Sequence, residues 1–162
     1  MKKAFSLIEL LIVILIIGVV YTLSVGSFEK VKDESKKLTL ANLKEYLQDI
    51  PHEKSAELLC LDDSCECEVL VDGEKFRELE DFLDKSVSSY MYSFSYGMQK
   101  VEKEEDICFS YSINKKGVGQ QVLVEFNNVF YDFSSYLSPV SIYSSLEEAR
   151  DAKEQLTQAV LR

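Results

Sequence analysis

The chain has little of what most enzymes are built from. Its single histidine, His52, leaves no material for a His-based triad or a multi-histidine metal site. No glycine-rich phosphate loop, HExxH zinc helix or GxSxG nucleophile turn occurs. Two prolines and six glycines in 162 residues exclude collagen-like and linker-dominated architectures. Basic residues are scarce: 18 Lys and Arg against 28 Asp and Glu give a net charge of −10. So acidic a chain is repelled by phosphate backbones. Enzymatic activity, a cofactor, a metal and a nucleic-acid partner are therefore not expected.

Charge is scarcest near the N-terminus. From Phe5 to Phe28 there are 24 residues with one charge, Glu9, and about 20 apolar residues suffice to cross a bilayer as a helix. Lys2 and Lys3 precede the run and hold the extreme N-terminus on the cytoplasmic side, which places the bulk of the chain across the membrane. A secretory signal peptide cleaved near Ser24 or Ser27 is one reading, but a carboxylate inside its apolar stretch argues against it. A plain signal anchor tolerates Glu9 poorly, because a lone acid in the bilayer costs a few kcal/mol. Removal of Met1 to Ala4 makes Glu9 useful. Phe5 then carries a new α-amine, and Glu9 lies one helical turn below it on the same face.

The stretch Lys2-Lys3-Ala4-Phe5-Ser6-Leu7-Ile8-Glu9-Leu10 resembles the class III signal of type IV pilins and of type II secretion pseudopilins. Gly18 also agrees with a glycine common in that family's apolar helix, while Ala4 stands where the family usually has glycine. The resemblance covers about residues 1–30. It implies cleavage between Ala4 and Phe5 by prepilin peptidase, N-methylation of Phe5, and an assembly role for Glu9 opposite a Phe5 amine. It further implies other pilin or pseudopilin subunits, an inner-membrane assembly platform with its motor ATPase, and membrane lipid as partners.

Beyond Phe28 the chain turns polar, and no Pro or Gly interrupts residues 27–50. A helix continuing to Pro51 is the simplest reading; Ser6 to Ile50 would then be about 68 Å long. Leu40, Leu43, Leu47 and Ile50 form its apolar stripe. Glu57 to Cys60 and Glu66 to Val71 read as short strands about a turn. Asp72-Gly73 closes the second run, and Asp72 also reads as a cap for a short helix whose face carries Phe76, Leu79, Phe82 and Leu83. Alternation then puts Tyr90, Tyr92, Phe94 and Tyr96 on one strand face, and Phe109 and Tyr111 on another. Gln121 to Phe126 reads as the partner strand returning after the turn at Asn114 to Gly119. Of 18 Phe and Tyr residues, 12 fall between Tyr90 and Tyr143, which points to a sheet core. Ser145 and Glu148 have capping-box spacing for a last helix with Leu146, Ala149, Leu156 and Val160 on its apolar face.

The expected fold is α+β: a long N-terminal helix, membrane half plus amphipathic half, packed on a small antiparallel-sheet head that ends in a C-terminal helix. The expected divisions are a leader 1–4, a membrane and assembly helix 5–28, an amphipathic helix 29–51, and a head 52–162. Four cysteines, Cys60, Cys65, Cys67 and Cys108, lie where topology permits disulfides, and their spacing leaves all three complete pairings open. A Cys₄ zinc site is disfavoured by the single residue between Cys65 and Cys67. Asp62, Asp63 and Asp72 read as solvated turn acids rather than calcium ligands. The expected protein is a structural subunit of a type IV pilus or type II secretion pseudopilus, first in the bacterial inner membrane with its head in the periplasm, then in the filament. The alternative is a membrane-tethered periplasmic binding module, or a minor pilin capturing a ligand or DNA. For DNA, Lys115-Lys116 is the basic pair to test.

Overall fold

The computed structural model describes residue 8 and residues 10–17, 37–61, 64–136 and 138–160. The chain divides into two units, Met1–Lys37 and Leu38–Arg162. In the first, residue 8 and residues 10–17 (α1) are helical, and the apolar side chains of residues 10–17 are 45–61% exposed. Among the described residues, no helix is long and apolar enough to cross a membrane. Of the expected span 5–28 only residue 8 and residues 10–17 are described, and residues 29–36 of the amphipathic stretch also lie outside the described residues.

The second unit is α+β. Its first helix, α2, is Leu43–Asp49. The expected continuous helix does not reach it from Lys37: residues 37–39 are non-helical and residues 40–42 form a turn. The cause is local. Thr39 N–H donates to the Asn42 side-chain oxygen at 2.8 Å, and Asn42 N–H donates back to the Thr39 carbonyl at 3.2 Å. Asn side chains that bond nearby backbone in this way compete with the helical ladder. The apolar stripe is as expected, with Leu40, Leu43, Leu47 and Ile50 all buried, and the helix ends before Pro51 with Ile50 extended.

Two antiparallel sheets follow. The first has the order β3-β2-β1-β6, from β1 (Ser55–Leu61), β2 (Glu66–Val71), β3 (Glu74–Leu79) and β6 (Ile107–Asn114). Period-two burial puts Ala56, Leu58, Cys60, Cys67, Val69, Phe109, Tyr111 and Ile113 on one face, into a core shared with α2. The second has the order β5-β4-β7-β8-β9, from β4 (Ser88–Ser93), β5 (Gly97–Lys100), β7 (Leu123–Phe126), β8 (Val129–Asp132) and β9 (Ser141–Tyr143). The last helix, α3 (Leu146–Val160), brings Ala149 and Leu146 against Leu123, Phe130, Tyr90 and Tyr143.

Three local expectations are corrected. The helix expected after Asp72 is strand β3. Asp72 and Gly73 both have positive φ, 55° and 88°, the two-residue turn that folds a chain back as a hairpin, and Val71 pairs with Glu74. The aromatic strand stops at Ser93, which pairs with Gly97 at φ 70°; Phe94 and Tyr96 therefore sit in the turn, 72% and 77% exposed. β7 is not the partner of β6. It pairs with β4 and β8, while β6 pairs with β1, and a single bridge between Ile113 and Gly119 marks the return after the turn.

The capping box at α3 forms with a variation. Glu148 N–H donates to Ser145 Oγ at 3.2 Å, while the Glu148 carboxylate accepts from Ser144 N–H at 2.9 Å and Ser144 Oγ at 2.7 Å. These bonds hold Glu148 below the usual carboxylate range. Leu156, expected on the buried face, is 62% exposed.

Candidate functional site

The residues of the N-terminal signal, Ala4, Phe5 and Glu9, lie outside the described residues. In the second unit, the chemistry of the described residues gathers at two places, a stapled hairpin and a buried polar anchor.

The hairpin of β1 and β2 sets Cys60 directly opposite Cys67. They form a disulfide with Cα atoms 4.0 Å apart. Cys65, at φ 59° in the turn, bonds to Cys108 near the start of β6, 43 positions away. The second bridge ties the turn across the sheet to a strand far along the chain. The sulfurs of Cys60, Cys65 and Cys67 lie within 4.8 Å of one another, close enough to resemble a metal-ligand group. All four sulfurs are in disulfides, however, and zinc is held by thiolates.

The acids also have structural roles here. The Asp72 carboxylate accepts the backbone N–H groups of Glu53 at 2.9 Å, Lys54 at 2.6 Å and Ser55 at 3.0 Å. Those bonds hold it below its ordinary value and lock the start of β1 to the β2–β3 turn. Asp62 and Asp63 lie outside the described residues. Lys115 and Lys116 are exposed in the turn after β6.

The buried anchor has no sequence signal of its own. Lys44 lies within the apolar stripe of α2 and is only 4% exposed. Its ammonium donates to the Ser135 carbonyl and, at 2.9 Å, to the Ser138 carbonyl. Burial lowers its pKa, with the charges of Asp132 and Glu45 partly opposing. Asp132, equally buried at the end of β8, pairs with Lys153 of α3 at 2.5 Å and accepts from Ser134 N–H at 2.9 Å. The stretch after β8 is thus fastened to both helices, through Lys44 to α2 and through Lys153 to α3.

One buried group is left without a partner. Tyr111 is fully buried, its ring centroid 4.5 Å from that of Phe133, and its hydroxyl has no hydrogen-bond partner among the described residues. Burial pushes its pKa up to about 12. Gly119 closes over it: a Cβ there would stand 2.1 Å from the hydroxyl oxygen. Neither residue stands out in the sequence, where Tyr111 is one of several alternating aromatics.

In the head, then, the ionisable groups hold strands, turns and helices together. Comparison with curated proteins and with solved structures gives no match for the chain. Residues 1–23 match the family model of the prokaryotic N-terminal methylation motif, the class III prepilin signal of type IV pilins and pseudopilins.

Proposed function

We propose that the protein is a structural subunit of a type IV pilus or a type II secretion pseudopilus. The observation that carries this reading is the methylation motif at residues 1–23. Prepilin peptidase cleaves between Ala4 and Phe5, and Phe5 is N-methylated. Residues 5–28 first anchor the chain in the inner membrane with its head outside the cytoplasm. They then pack against neighbouring subunits, with Glu9 opposite a Phe5 amine. Apolar burial supplies most of the assembly energy and the ion pair sets the register. A head with two disulfides agrees with an oxidising compartment.

Two measurements test the reading. Mass spectrometry of assembled material is expected to find a chain beginning at methylated Phe5; an intact Met1 overturns the assignment. Glu9→Ala removes the partner of the amine but leaves Ala4 and the basic leader. The variant is expected to be processed and to accumulate in the membrane, yet be missing from sheared filaments, since breaking one side of a buried pair costs about 3–5 kcal/mol. Incorporation at the level of the unmodified protein refutes the pairing mechanism.

A further inference from the structure

Strand β5 is an edge of the second sheet, and its sequence does little to protect it. Among the described residues it pairs with β4 alone, and residues 97–100 hold no proline, no acid and one base, Lys100. The other edges are blunted in the ways natural sheets use. β3 carries Glu74, Lys75, Arg77 and Glu78, with a register shift against Val69 and Leu70. β6 follows Glu104, Glu105 and Asp106, and the chain returns over its far end through the Ile113–Gly119 bridge. β9 is three residues long and follows Pro139. We propose that β5 is the docking surface for a second copy of this chain, the two β5 strands pairing antiparallel about a two-fold axis at Gln99.

The ladder fixes which groups are free. Val101 N–H donates to the Ser89 carbonyl at 2.8 Å, so Ser89 and Val101 are a bonded pair of β4 and its partner. Bonded and non-bonded pairs alternate along an antiparallel ladder. Gln99 therefore turns its backbone groups toward β4, and Met98 and Lys100 turn theirs outward. Two such edges meet in few symmetric registers. Setting Lys100 against its own counterpart places like charges opposite each other, which is unfavourable. Setting Met98 against its counterpart leaves Lys100 facing the turn at residue 96. In the remaining register Met98 exchanges both bonds with Lys100 of the second copy, Lys100 does so with Met98, and Gln99 faces Gln99. The side chains permit it. Met98 lies on the inner face, packed with Leu123, Phe130 and Ala149. Gln99, Val101 and Met91, which stands opposite Gln99, share the outer face and are exposed. Val101 then comes opposite Gly97 of the second copy, which has no side chain to obstruct it.

Charge selects the partner. The chain carries −10, so two copies repel each other. Ser86 to Val101 contains no acid, and along β5 a second copy meets least of that repulsion. A basic partner finds no acid there to pair with, whereas a copy of the same edge supplies a donor and an acceptor for each outward group. The contact is small and belongs to the transient class. A two-fold contact closes on itself, while a filament repeats a head-to-tail contact. Under the filament reading the pair is therefore a state of the unassembled chain, but the pairing itself rests on the edge geometry and not on that reading.

The test uses the full chain in detergent micelles, with one cysteine added at a time and the two native disulfides kept oxidised. Copper phenanthroline drives cross-linking, which non-reducing gels follow. In the two-fold register residue 99 and its counterpart are a non-bonded pair with Cα atoms about 4.5 Å apart. A disulfide fits such a pair, as Cys60 and Cys67 do across β1 and β2 at 4.0 Å. Met91 shares the exposed face, but three strand spacings separate it from its counterpart, about 14 Å against a disulfide limit of about 7 Å. Gln99→Cys is expected to form a linked dimer at least about tenfold faster than Met91→Cys. Equal rates, or no dimer from Gln99→Cys, overturn the proposal. Adding Lys100→Pro to Gln99→Cys removes an outward N–H and leaves the bonds to β4 in place, since edge strands accept proline where the N–H faces solvent. It is expected to slow linking at least about tenfold with the urea midpoint unchanged, and linking at the rate of Gln99→Cys alone overturns the backbone pairing.

Discussion

Replacing Tyr111 with phenylalanine is expected to stabilise the head, although Tyr111 is one of its most deeply buried residues. The ring stays in place against Phe133 and only the hydroxyl is lost. That hydroxyl is desolvated without a hydrogen-bond partner among the described residues, a state that costs about 1–3 kcal/mol. The small void left behind takes back part of the gain. Tyr111→Phe should therefore raise the unfolding free energy at pH 7 by about 1–2 kcal/mol. Alkaline pH supplies a second readout. Burial raises the folded pKa from 10.0 to about 12, so the folded state binds more protons than the unfolded state between those values. The stability of the unmodified protein is unaffected by this group below pH 10 and falls as pH rises through 12, by about 2.7 kcal/mol in all. The variant lacks that loss. Tyr90, also pushed up to about 12 by its 2.6 Å bond to Glu125, titrates in both proteins and cancels in the difference. Urea unfolding of the full chain in micelles, from pH 7 to 12, should show the two curves diverging above pH 10. A variant less stable by more than about 1 kcal/mol at pH 7, or parallel curves above pH 10, would refute the reasoning.

The neighbouring glycine gives a coupled test. Gly119→Ala should cost about 1–3 kcal/mol by overpacking, and less when Tyr111→Phe removes the atom the new Cβ meets first, so urea midpoints of the double variant should be non-additive. Removing the Cys65–Cys108 bridge should destabilise by about 4 kcal/mol and removing Cys60–Cys67 by about 2, because the closed loops span 43 and seven positions. Equal losses in denaturant titrations of the paired Cys→Ser variants would remove loop length as the cause. Asp72 has a depressed folded pKa, so its stabilisation is present above the unfolded value of 3.8 and is lost as pH falls through the folded one. Asp72→Asn should flatten the acid limb of the stability curve, and an unchanged limb would show that its three backbone bonds do not set that dependence.

Features carried by a few neighbouring residues were legible in the chain. The prepilin signal is contiguous: basic leader, small residue, Phe5, then Glu9 one turn on, a pattern that requires no folding to be recognised. The stripe of Leu40, Leu43, Leu47 and Ile50, the short strand runs of β1 and β2, the alternation in β6, and the spacing of Ser145 and Glu148 are likewise consequences of local propensity and of helix and strand periods. Even here short-range chemistry misled in places. Asp72-Gly73 can cap a helix or turn a hairpin, and positive φ at both residues decides for the hairpin.

Pairings between distant residues were not legible. Whether β6 joins β1 or β7 depends on which strand edge is free when the core closes, and no local period encodes that. The same holds for Cys65, whose spacing allowed every pairing until the sheet brought Cys108 to the turn. It holds too for Lys44, which nothing in its own stretch of chain marks out until the stretch after β8 lays the Ser135 and Ser138 carbonyls against it. A sequence by itself determines the preferences of neighbouring residues and the motifs other proteins read directly. Only the tertiary structure decides partners, because the desolvation and loop closure that select them are properties of the whole folded head.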